Sequence, residues 1–133
     1  MAAAALGSIA CGQDTARVAR VDPANGLPFG FVDNPPAGSS VGWRVRVAGW
    51  ALDDQGIAEI RIFLDDHLVA TTAPDTARPD VAKVFPELAR RQGRVGWSRE
   101  IDMPQGSHTI VVQAVDRLGL SRDLGAFPVT RPR

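Results

Sequence analysis

The stretch from Val47 to Ile57, VAGWALDDQGI, is nearly repeated close to the C-terminus as VQAVDRLGL, Val112 to Leu120. Both read as an apolar strand, then Ala-x-Asp-x-x-Gly, then Ile or Leu opening a new strand. The Asp side chain can accept backbone N–H groups two residues on, and the Gly supplies a positive φ. Two strand–turn–strand units in one small chain point to a β-sandwich. They do not point to a reaction.

The rest of the chain keeps this rhythm. Phe29 to Asp33 opens the strand series and is stopped by turn residues from Asn34 to Ser40. Trp43, Val45 and Val47 alternate with Arg44 and Arg46, the pattern of a half-buried strand. Large apolar residues then fall at Trp50 and Leu52, a change of phase that a bulge at Gly49 would accommodate. Ile60, Ile62 and Leu64 alternate with Glu59, Arg61 and Phe63. Asp65 to His67 turns the chain into Leu68 to Thr72. Val81, Val84, Phe85 and Leu88 have helical spacing, with Pro79 suited to a first turn and Pro86 breaking any continuous helix. Strands resume with Val95, Trp97, Ile101 and Met103 on one face, where Arg99 is expected at a rim. His108, Ile110, Val112 and Ala114 share a face of the next strand, and Leu120 to Val129 forms the last, with Pro128 tolerable at an edge. Arg44, Arg46, Arg61 and Glu59 are expected on one solvated sheet face, a candidate partner-binding surface.

This predicts an all-β chain: an Ig-like antiparallel β-sandwich of about seven strands, with a short helical insertion around residues 79–91. A jelly roll or small open barrel shares the pattern. Residues 1–28 read as leader and linker, 29–130 as the sandwich domain, and 131–133 as a tail. At 133 residues the chain can bury a single core without a disulfide or metal staple. Fifteen basic and fifteen acidic residues cancel, which argues against a nucleic-acid or anionic-membrane surface. Thirteen Gly and ten Pro fit a turn-rich all-β domain.

Cys11 is the only cysteine, so no internal disulfide forms. It follows MAAAALGSIA, which reads as the end of a secretory hydrophobic region and resembles the lipobox of bacterial lipoproteins, where such a Cys is lipidated. Ser8 stands where that motif has a large aliphatic residue, and no basic segment precedes it. An Ala-rich tail with an incidental Cys, or the end of a membrane helix, gives the same string.

Taken in order, Asp33 to Val41, Val47 to Asp53, Gly56-Ile57 and Phe63 to Asp66 resemble bacterial Ig-like domains of cell-envelope and secreted proteins. So do Arg78 to Ala82 with Pro86, Gly96-Trp97, Gly106 to Thr109, and Ala114 to Asp116 with Gly119. The likeness covers about Gly30 to Val129. Asp66 departs from it, since a Gly is usual in that hairpin turn. The resemblance implies a sandwich used as a stalk, adhesion module or accessory domain, with no catalytic residues to carry over. It implies an extracytoplasmic place, in the envelope or secreted, and a protein or carbohydrate partner at the cell surface. Membrane association would come only through a lipid anchor or an upstream segment.

The expected topology puts the turns at Asp53-Asp54 and Asp116 and the insertion at Asp80 at one end of the sandwich. Converging carboxylates at Asp53, Asp80 and Asp116 would suit Ca²⁺, the only cofactor the sequence suggests. The plainer role is that Asp53 and Asp116 cap their own turns and Asp80 caps a helical turn. Trp43, Trp50 and Trp97 are candidate sugar-stacking platforms or core residues, with Trp50 the expected exposed one. The candidate ligand-binding set is therefore Trp50, Asp53, Asp54, Asp80 and Asp116. His67 and His108 are the only histidines and lack the spacing of a metal pair or a catalytic motif. The leading expectation is a non-catalytic envelope module for adhesion, ligand binding or spacing. The alternative is an accessory or C-terminal domain of a larger envelope carbohydrate-active enzyme, a membrane glycosyltransferase or a glycoside hydrolase.

Overall fold

The computed structural model describes residues 26–133. Cys11, and with it the lipidation expectation, lies outside the described residues. In chain order the elements are β1 (Phe29–Asn34), β2 (Ser39–Ser40), β3 (Arg44–Leu52), β4 (Ile57–Leu64), β5 (His67–Thr72), α1 (Pro79–Val84), α2 (Pro86–Gln92), β6 (Gly96–Asp102), β7 (Gly106–Asp116) and β8 (Ser121–Arg131). One sheet has three strands in the order β1-β3-β6, the other five in the order β2-β8-β7-β4-β5. All pairings are antiparallel except the two-residue contact of β2 with β8. The expected sandwich is present. Its extra strand is β2, too short to leave a period in the sequence. β8 runs on through Arg131, one residue into the expected tail.

The core between the sheets takes Val45, Val47 and Ala51 from β3, Ile60 and Ile62 from β4, and Ile110, Val112 and Ala114 from β7, with Trp97 and Ile101 from β6. Each large aliphatic side chain buried there contributes about 1.5–3 kcal/mol. A second cluster lies on the outer face of the three-stranded sheet. There Phe29, Leu52 and Val95 meet Val81 of α1 and Ala89 of α2, and Trp50 and Phe85 pack against them.

This second cluster corrects the expected bulge at Gly49. β3 keeps an unbroken register with β6 from Arg44↔Asp102 to Trp50↔Gly96. Val45, Val47 and Ala51 face inward, while Arg44, Arg46, Trp50 and Leu52 face outward. The outward residues become apolar where the helices cover them. Gly49 serves close approach instead, since a Cβ there would stand 2.1 Å from the Phe31 carbonyl oxygen and 3.0 Å from the Trp97 ring. Val95, expected on the face of Trp97, belongs to the outer cluster for the same reason. The bulge in this sheet lies on β1, between Val32 and Asn34.

The helices fall where the spacing placed them. Pro79 and Pro86 each occupy a first turn, where the missing N–H costs nothing. Phe85 ends α1 and begins α2. Arg44 and Arg46 lie on the three-stranded sheet, whereas Glu59 and Arg61 lie on β4 of the other, so the expected single charged face does not exist. Arg99 reaches the rim, donating to the Thr71 carbonyl at 2.5 Å.

Candidate functional site

The end of the sandwich where β3 turns into β4 also holds the β7–β8 turn. Asp53 and Asp116 are buried there, 2% and 1% exposed. Asp53 Oδ2 accepts the Gln55 N–H at 2.8 Å. Asp116 Oδ1 accepts the N–H groups of Leu118 at 2.9 Å and Leu120 at 2.8 Å. Gly56 and Gly119 follow at φ 91° and 88°. The repeated motif is thus two copies of one turn, each closed by its Asp.

In both turns the second carboxylate oxygen is left over. Asp53 Oδ1, Asp54 Oδ1 and Asp116 Oδ2 are buried and receive no hydrogen bond from the described residues. Burial pushes the Asp53 carboxyl up to about 7, opposed by the Gln55 N–H and reinforced by the negative charges of Asp116 and Asp54. The corner therefore takes a proton near neutrality. With so little of Asp53 exposed, that proton bears on the stability of the corner rather than on a substrate.

Gln92, at the end of α2, locks this corner and was not singled out from the sequence. Its Oε1 accepts the Asp53 N–H at 3.1 Å, and its Nε2 donates to the carbonyls of Ala51 at 2.9 Å and Arg94 at 3.2 Å. A lone Gln at the end of a short helix carries no local signal for such a role.

Asp80 does not join the corner, which corrects the expected three-aspartate calcium group. Arg78 binds it in a fork, Nε to Oδ1 at 2.9 Å and Nη2 to Oδ2 at 2.8 Å, and its Nη1 reaches Asp33 on β1 at 2.8 Å. The guanidinium holds the Asp80 carboxyl down at about 2. Among the described residues no group of three His, Cys, Asp or Glu side chains converges as metal ligands.

The exposed tryptophan is not the expected one. Trp50 is half-buried and packs edge-on to Phe29, with ring centroids 6.1 Å apart, and against Phe85 at 5.9 Å. Trp97 is in the core. Trp43 is the exposed one, at 62%.

At the opposite end of the sandwich His67 and His108 meet around Asp65. His67 Nδ1 lies 3.0 Å from the Asp65 carbonyl oxygen, and His108 Nδ1 lies 2.6 Å from Asp65 Oδ2. The Asp65-Asp66 hairpin turn has φ 50° and 71°, the double positive φ of a type I′ turn. Asp66 therefore occupies a left-handed position that favours Gly.

No protein-family model and no curated sequence matches this chain. Among solved structures it is similar to a chain described as Clostridium thermocellum CbhA fibronectin(III)-like modules. Identity is 14%, the TM-score is 0.55, and 80% of this chain and 47% of that one are covered. The likeness establishes a fibronectin-III-like β-sandwich fold. The chain spans about half the length of the structure it matches. Among the described residues no helix is long and apolar enough to cross a membrane.

Proposed function

We propose that this chain is a non-catalytic extracytoplasmic module of the bacterial cell envelope, serving adhesion, ligand binding or spacing. One observation carries the reading. β1 starts at Phe29 opposite Leu52, at the end that holds the Asp53 and Asp116 turns. β8 finishes at Arg131 opposite Gly106, at the other end. The described chain enters the sandwich at one pole and leaves at the other. An eleven-residue strand such as β8 spans about 36 Å, so each module extends a chain in line and presents loops at both poles.

The second reading, an accessory domain of a larger envelope carbohydrate-active enzyme, draws support from a solved neighbour that carries modules in the plural and is only half covered. Fractionation of source cells with an antibody to the sandwich, followed by intact-mass measurement, tests both. Recovery of a chain of about this size from the envelope or medium supports the stand-alone module. A much larger polypeptide there supports the accessory domain, and recovery only from the cytoplasm overturns both.

A further inference from the structure

Trp43 stands 62% exposed although its backbone is anchored on both sides. The Val41 N–H donates to the Thr130 carbonyl at 2.9 Å, and the Met103 N–H donates to the Trp43 carbonyl at 2.8 Å. The Arg44 guanidinium carbon lies 5.5 Å from the centroid of the indole. Arg44 is itself held by Glu100 at 3.3 Å and Asp102 at 3.5 Å. One face of the ring is thus backed by a cation that is itself paired with two carboxylates. A ring already held in place loses less freedom on capturing a ligand.

Beside Arg44 lies an open cleft of about 240 Å³, with Asn34, Ser39, Ser40 and Arg46 in its lining. Small-ligand clefts are usually about 300–1,000 Å³, so this one suits a single ring of a longer molecule lying across the surface. Trp43 lies between the cleft-lining Gly42 and Arg44 in the chain, so its apolar ring face and the hydroxyl, amide and guanidinium groups of the adjoining cleft together match a pyranose, which has a C–H face and hydroxyl edges. Charge narrows the class further. Arg44 and Arg46 face Glu100 and Asp102 across the strand pair, so the surface selects neither anion nor cation.

We propose that Trp43 is the stacking platform of a subsite for a neutral oligosaccharide, with hydroxyl partners supplied by the adjoining cleft and by Glu100 and Asp102. This rests on the ligand-binding role proposed above and names its ligand class. Trp50 and Trp97 are packed away, so Trp43 is the indole free to stack.

The test is titration of ¹⁵N-labelled protein with cellohexaose, xylohexaose, mannohexaose and maltohexaose, following the indole N–H resonances. The Trp43 resonance moves saturably with at least one of them, while those of Trp50 and Trp97 stay in place. Trp43→Ala weakens that binding about tenfold or more, and Trp43→Phe weakens it less. The rest of the Trp43→Ala spectrum reports that the sandwich is intact. No saturable shift with any of the four sugars, or equal affinity in Trp43→Ala, overturns the proposal. Either failure leaves the envelope-module reading standing, because cell fractionation and intact mass decide that separately.

Discussion

Asp65 and His108 are 43 positions apart in sequence, yet their side chains meet at 2.6 Å and tie the β4–β5 turn to the start of β7. Asp65 Oδ1 also accepts the Thr109 N–H at 2.9 Å. The other imidazole nitrogen, Nε2, lies 3.0 Å from the Gln105 carbonyl oxygen. Both ring nitrogens thus face acceptors. A neutral imidazole has one N–H to give, whereas the imidazolium satisfies both.

The strap is therefore pH-dependent. The Asp65 carboxylate, with help from the Gln105 carbonyl, raises the His108 pKa above its ordinary 6.5. The His108 contribution is complete below 6.5 and is lost as pH rises through the raised folded value. The Asp65 carboxyl is lowered from 3.8 by His108 first and the Thr109 N–H second. Its contribution is present above 3.8 and is lost as pH falls through the lowered folded value. His108→Gln should reduce the thermal midpoint more at about pH 5.5 than at about pH 9. Equal losses at both would mean that the ring acts by shape alone.

Asp53, like His108 and unlike Asp65, stabilises the fold on the acid side. Its carboxyl is raised from 3.8 to about 7, so the folded chain holds a proton that the unfolded chain releases. Stability from this group is full below 3.8 and is lost as pH rises to about 7. Asp53→Asn keeps an acceptor for the Gln55 N–H and places an N–H₂ group beside the neighbouring carboxylates. We expect a higher melting midpoint at about pH 8 and a flatter pH profile between about 4 and 7. An unchanged profile would show that Asp53 does not carry the proton.

Gln92 makes three hydrogen bonds to backbone groups from one side chain. Gln92→Ala should cost about 1–3 kcal/mol, because it strips partners from the half-buried ends of β3 and α2. Gln92→Glu should cost more, since it loses the donors and adds a negative charge beside Asp53. Chemical denaturation gives the energies. Hydrogen exchange should speed up in α2 before the rest of the molecule.

Asp66 sits at φ 71° in the hairpin turn without a Cβ-free backbone. Asp66→Gly should stabilise the protein by about 1 kcal/mol, because the left-handed region is open to Gly. A destabilised variant in denaturant titrations would mean that the Asp66 side chain supplies a contact worth more than the strain.

The sequence by itself determined the sandwich, the two Asp-closed turns and a short helical insertion. Those features are local: period-two alternation, an Asp two residues before the N–H it accepts, a proline suited to a first helical turn at Pro79 and a break at Pro86. Only the tertiary structure decided which faces are covered. Trp50 and Leu52 read as a change of phase because α1 and α2, some thirty residues downstream, bury the outer face of β3. Asp80 read as a partner of Asp53 and Asp116, but Arg78 binds it and reaches across to Asp33 on β1. Gln92 gave no signal, because its partners come from β3 and the loop after α2. Trp43 is exposed because, among the described residues, no element folds over that rim, while helices or the opposing sheet cover Trp50 and Trp97. Alternation along a strand records that two faces differ, but what packs on each face depends on segments distant in the chain.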